Sequence, residues 1–134
     1  MDFSVVNWLA VVVAAMAAWL FGAIWYTVLS KPWMRAARID PSTAKKSILP
    51  FIISFVTELI MALVFALVVG AITGGEPTLV AGLVFGFVAT TLTANHRYEN
   101  FGWDLTLIDG GHWLGVLLII GAVIGWFGAP VVAG

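Results

Sequence analysis

The sequence predicts an all-α integral membrane four-helix bundle, one domain over residues 1–134 with four transmembrane spans and both termini periplasmic. Three observations carry this reading. The 134 residues are 62% hydrophobic and only 10% charged, against about 25% charged in a soluble domain, so too little polar surface remains to face water. The apolar residues fall into four runs, each close to the ~20 residues a helix needs to cross roughly 30 Å of hydrocarbon. All six Lys and Arg lie between the first and second runs or between the third and fourth, which puts those connections in the cytoplasm.

The first span covers about residues 3–29. Its leading MDFSVVNWLA stretch has no basic region, and the apolar run is too long for a signal peptide, so the span is read as retained. A basic cytoplasmic loop over 30–47 follows, with Lys31, Arg35, Arg38, Lys45 and Lys46. Its stretch from Pro32 to Ser47 predicts a short helix on the membrane surface, with Trp33, Met34 and Ile39 facing lipid. The second span covers 48–72, with Pro50 in the first turn, where a missing N–H costs nothing. Thr73-Gly74-Gly75-Glu76-Pro77 reads as a tight turn, which makes spans two and three antiparallel neighbours. The third span covers 78–95, Arg97 lies in the next connection, and the fourth span covers 105–127. Trp8, Trp25, Trp33, Trp103 and Trp126 fall near span ends, as an interfacial aromatic belt should.

Three pairs of glycines, Gly82 and Gly86, Gly111 and Gly115, Gly121 and Gly125, repeat the small-xxx-small spacing that lets helix backbones approach in lipid. This predicts close packing inside the bundle, and the same faces would serve a homo-oligomer or a larger membrane complex. Net charge of −1 leaves no basic field for nucleic acid. The absence of cysteine excludes disulfides and thiolate metal sites. No serine sits in a nucleophile elbow, and Gly74-Gly75 leads into no phosphate-binding element, so the residues point away from an enzyme.

The chemistry concentrates in the ionisable groups within the spans. Glu58 stands in a charge-free apolar run from Ile48 to Thr73, and a charge there costs about 2.5–3.5 kcal/mol on insertion scales. A rise of 1.5 Å per residue sets it roughly 16 Å into span two, with His112 about 12 Å and Asp109 about 8 Å into span four. Asp109 and His112 share a face at i, i+3. His96 at the end of span three and Tyr26 at the end of span one complete the candidate cluster. Three arrangements follow. In the structural one, Asp109 pairs with Arg97 or His112, and Glu58 is neutral or bonded to His112, Tyr26 or a threonine. The second is a proton or ion relay. The third is a metal or haem site on His96, His112, Glu58 and Asp109, for which the spacing of metal motifs is missing.

Asn7-Trp8-Leu9-Ala10-Val11, then Gly22-Ala23-Ile24-Trp25-Tyr26 and Lys31-Pro32-Trp33-Met34, resemble a bacterial family of small membrane proteins known only as a domain of unknown function, number seventeen sixty-one. Tyr98-Glu99-Asn100-Phe101 and Leu107-Ile108-Asp109-Gly110-Gly111-His112 resemble its last loop and fourth span. The Gly-x-x-Trp-Tyr element followed by Lys-Pro-Trp is the most specific part. The resemblance implies a four-helix protein of the bacterial cytoplasmic membrane and no activity. The expected function is a non-enzymatic scaffold or accessory subunit that packs through its glycine faces, without metal or cofactor. Its expected partners are the lipid bilayer and another copy or membrane complex. The alternative is a small transporter or proton-linked permease using Glu58, Asp109 and His112.

Overall fold

The computed structural model describes residues 3–72 and 76–128. Among them every regular element is helical: a 3-10 turn at Phe3–Val5, then α1 (Trp8–Val28), α2 (Ser30–Ala36), α3 (Leu49–Ala71), α4 (Pro77–Tyr98) and α5 (Trp103–Trp126). The four long helices α1, α3, α4 and α5 are each apolar and long enough to cross a membrane. The chain is a membrane protein.

Local chemistry sets the ends of these helices. α1 starts at Trp8 rather than near Phe3, because the Asn7 side chain accepts the Ala10 N–H at 3.1 Å and caps the helix there. α4 starts at Pro77, where the Glu76 carboxylate accepts the Thr78 and Leu79 N–H groups and the Thr78 hydroxyl. Those bonds favour the charged form and hold the Glu76 carboxyl below its ordinary pKa. The cap is therefore present at neutral pH and is lost as pH falls through that lowered value. α4 runs on to Tyr98, so His96 and Arg97 are helical and do not lie beyond the span. It ends on Asn100 in the left-handed region (φ 60°), with Phe101 N–H bonded to His96 O and Asn100 N–H to Arg97 O. α2 ends in the same way on Arg38 (φ 57°). The Arg38 guanidinium donates to Asn100 O and lies over the Phe101 ring, so the two helix ends clasp each other.

The expected surface helix of the basic loop is thus shorter than Pro32–Ser47. Trp33 turns inward, its ring 5.3 Å from Tyr26, because α2 follows α1 after a single break at Leu29 that backbone bonds from Leu29 N–H to Trp25 O and from Trp33 N–H to Leu29 O still bridge.

The long helices pack in the order α3–α1–α5–α4, with α1 and α5 central. The turn residues Thr73–Gly75 lie outside the described residues. The expectation that spans two and three pack as antiparallel neighbours is corrected, because α3 leans on α1, α4 leans on α5, and the two touch little. Complementary shape explains the choice. On α5, Gly111 lies under Trp25 and Gly115 under Phe21, so two rings one turn apart on α1 fill two notches one turn apart on α5. The Trp25 indole also donates to Ile108 O at 3.1 Å. Gly121 and Gly125 receive Pro77 of α4. Gly82 and Gly86 meet nothing within 4 Å and are exposed on the outer side of α4.

The core fills the end of the molecule away from the basic loop. Ala14, Ala15 and Ala18 of α1, Ala62 and Ala66 of α3, Ala81 of α4, and Val116, Leu117 and Ile120 of α5 are all buried there. At the basic end Leu49, Phe51, Ile52 and Ile53 of α3 are exposed, and α3 stands away from the other helices.

Gly115→Leu should drive a side chain into Phe21 and lower stability by about 1–3 kcal/mol, read as a lower melting temperature in detergent. Gly86→Leu should leave the melting temperature where it is. Equal losses at the two positions would show that the ring-in-notch contact does not hold α1 to α5.

Candidate functional site: a cavity between α1 and α3

The divergence of α1 and α3 leaves a half-open cavity of about 510 Å³. Toward the basic end it is lined by Thr27 of α1, Trp33 of α2 and Pro50 of α3, and farther along by Glu58 of α3 and His112 of α5. Glu58 is nine residues beyond Leu49, about 14 Å at the helical rise. Trp19 spans the gap at one side, its indole N–H donating to Phe51 O and to Ser54 Oγ, each at 3.1 Å. Beyond Trp19 and Phe51 lies a second hollow, lined by Met16, Ile48, Ile52 and Phe55 and wholly apolar.

Glu58 and His112 are 3% and 5% exposed. Among the described residues, neither Glu58 Oε2 nor His112 Nδ1 has a hydrogen-bond partner. The expected bond from Glu58 to His112, Tyr26 or a threonine is not made by that oxygen. The reason is the packing order: α1 stands between α3 and α5, so the two groups meet the same cavity from different sides. His112 reaches it only because Gly22 has no side chain. A Cβ on Gly22 would lie 2.8 Å from His112 Nε2. The imidazole is otherwise boxed by rings, with centroids of Tyr26 at 4.8 Å, Trp113 at 4.7 Å and Phe21 at 6.2 Å.

The other candidates form a separate chain of contacts. The Tyr26 hydroxyl donates to Asp109 Oδ1 at 2.7 Å, and Asp109 Oδ2 lies 3.6 Å from His96 Nε2. His96 Nδ1 is 2.9 Å from Thr106 Oγ1, which accepts from Arg97 Nη2 at 2.8 Å. This chain ties α1, α5 and α4 together. It corrects the pairing expected for Asp109, which takes Tyr26 and His96 in place of Arg97 or His112. Arg97 turns to the loop, donating to Gly102 O at 3.0 Å and stacking 3.9 Å over the Trp103 ring. Its remaining nitrogens have no hydrogen-bond partner among the described residues, but the ring covers the cation. Among the described residues no three His, Asp or Glu side chains converge as metal ligands would.

Tyr26 touches both groups, lining the cavity with its ring and holding Asp109 with its hydroxyl. Gly22 and Trp19 are the residues that sequence reasoning passed over. Gly22 could have been found, since it opens the Gly22-x-x-Trp25-Tyr26 element on which the family resemblance rests. Each residue of that element has a task here: Gly22 admits His112, Trp25 fills Gly111, and Tyr26 binds Asp109.

Apolar helices around a cavity with ionisable groups at half-depth define a small multi-span membrane protein. The chain belongs to the family described as Protein of unknown function (DUF1761), which matches residues 9–125 and so includes every residue of the cavity and of the polar chain. Neither curated proteins nor solved structures give a match.

Asp109→Ala should strand the Tyr26 hydroxyl and cost about 1–3 kcal/mol, while Asp109→Asn, which keeps an acceptor, should cost less. Thermal melts of Asp109→Asn, Tyr26→Phe and the double variant should give a coupling above about 0.5 kcal/mol. Additive losses would remove this contact from the account of stability.

Proposed function

We propose that the chain is a small permease of the bacterial cytoplasmic membrane, a four-helix bundle with both termini periplasmic, and that its cavity admits a solute from the cytoplasmic side. Glu58 is the group that exchanges a proton against the solute. One observation carries this reading: two buried polar atoms, Glu58 Oε2 and His112 Nδ1, lack protein partners and belong to side chains on the wall of an open cavity. A stranded buried polar atom costs about 1–3 kcal/mol. Intramembrane ionisable groups that face a cavity commonly mark solute or proton paths. A dry structural cluster would instead resemble the Tyr26–Asp109–His96 chain, where neighbouring side chains supply the partners.

The scaffold reading has its own support in α4. Its exposed outer side carries Gly82 and Gly86 with open space above them, whereas Gly111, Gly115, Gly121 and Gly125 are filled from within the chain. Assembly with another copy or complex would therefore use α4, leaving the cavity on the opposite side of the molecule free.

The absence of cysteine allows clean single-site labelling. Ala23→Cys and Thr27→Cys, on the cavity wall, should react with a membrane-impermeant thiol reagent in inside-out vesicles. Val64→Cys, exposed on the outer side of α3, should not, since a thiol reacts as thiolate and needs water. Protection of both wall positions would return Glu58 to a dry, structural role. Separately, C-terminal fusions should be active with a periplasmic reporter only, and cytoplasmic reporter activity would reverse the orientation.

A further inference from the structure

We infer that the solute is a weakly hydrated organic cation, a quaternary ammonium or aryl phosphonium type of molecule. This deepens the permease reading and rests on it. The inference comes from what the wall offers. The donors that line the cavity from α1 and α3 are nearly all engaged with protein acceptors. Trp19 N–H binds Phe51 O and Ser54 Oγ, the Ser54 hydroxyl binds Phe51 O, the Thr27 hydroxyl binds Ala23 O, and the Tyr26 hydroxyl binds Asp109. What remains unpartnered from α3 is an acceptor, Glu58 Oε2. Among the described residues no Lys or Arg lines the cavity, and Lys31 and Arg35 of α2 are exposed. An anion would find no Lys or Arg there, and as donors only the Trp33 and Trp113 indole N–H groups and the His112 imidazole.

Much of the wall is aromatic, with Trp19, Tyr26, Trp33, Phe51 and Trp113 drawn from four helices. Ring faces attract cations, most strongly when the cation is desolvated. A metal ion would need several oxygen or nitrogen ligands, and one carboxylate does not replace its water. A cation whose charge is spread over carbon loses little hydration on entry and gains both the carboxylate and the rings. The volume of about 510 Å³ lies within the range of small-molecule sites, about 300–1,000 Å³.

The exchange balances in charge. A deprotonated Glu58 holds one monocation, and a proton that neutralises the carboxylate releases it. The titratable groups that face the site are Tyr26 from α1, Glu58 from α3 and His112 from α5, and Asp109 stands behind Tyr26. Protonation of Glu58 and of His112 both oppose a bound cation, so binding weakens as pH falls.

The test uses the full chain in nanodiscs of zwitterionic lipid, with empty nanodiscs subtracted, and two probes of nearly equal shape and opposite charge, tetraphenylphosphonium and tetraphenylborate. Quenching of tryptophan fluorescence reads binding. Saturable binding of the phosphonium is expected, none of the borate, with affinity falling about tenfold per pH unit on the acid side as a proton competes. Glu58→Gln should weaken binding at least tenfold and flatten the pH profile. Ser54→Phe, which fills the cavity without touching its charge, should abolish binding. It also keeps the test decisive if Glu58→Gln fails to fold. Borate binding that Ser54→Phe abolishes would overturn the cation and leave the cavity as a solute site. No binding of either probe, with Ala23→Cys or Thr27→Cys reactive, would overturn the cation alone. No binding with both wall cysteines protected would overturn both readings. Phosphonium binding unchanged in both variants would assign the signal to lipid and overturn the inference.

Discussion

The close approach of α1 and α5 is the contact on which the rest of this molecule depends. Lipid tails are as apolar as leucine, so no hydrophobic force drives two helices together in a membrane, and fit must do it. Here the fit is a ring-in-notch arrangement, with Phe21 and Trp25 of α1 seated on Gly115 and Gly111 of α5. The same approach works in the other direction at Gly22, where α1 supplies the notch and α5 the ring of His112. Any bulk at these glycines would push the helices apart and withdraw His112 from the cavity. Packing and site are thus one feature.

α3 is attached differently. Toward the end away from the basic loop it is held by alanines and by Phe65, buried in the common core. Toward the basic end one indole N–H, that of Trp19, reaches two acceptors on α3, and Phe55 packs edge-on against the same ring at 6.0 Å. A helix anchored in the core at one end and tied by Trp19 near the other leaves a space between α1 and α3. Glu58, one turn deeper along α3 than Ser54, stands on the wall of that space.

The ionisable groups divide into two sets by how they are met. Asp109 and His96 have neighbours for their polar atoms and join three helices. Glu58 and His112, of the same chemical types, are as deeply buried and each has a polar atom with none. Low dielectric raises the value of a satisfied network and the cost of an unsatisfied group alike. That contrast separates the two sets within a single small protein, and Tyr26 touches both, lining the cavity with its ring and donating to Asp109 with its hydroxyl.

The sequence by itself determined the architecture and the inventory. Four apolar runs, their caps and prolines, and the restriction of Lys and Arg to two stretches at or between span ends follow from local physics: helix length against membrane thickness, and the cost of moving charge into lipid. The candidate ionisable residues were legible for the same reason, because a charge in an apolar run is conspicuous. What only the tertiary structure decided is who meets whom. Helices that are apolar all round carry no stripe to mark their inner face, so periodicity could not order them, and the short connection between spans two and three pointed to a pairing that side-chain fit overrode. Asp109 took Tyr26 and His96, not its helical neighbour His112, because those two came from the helices on either side of α5. Gly22, inconspicuous among the alanines of α1, became the opening through which His112 reaches the cavity, a role that exists only when two backbones lie close together.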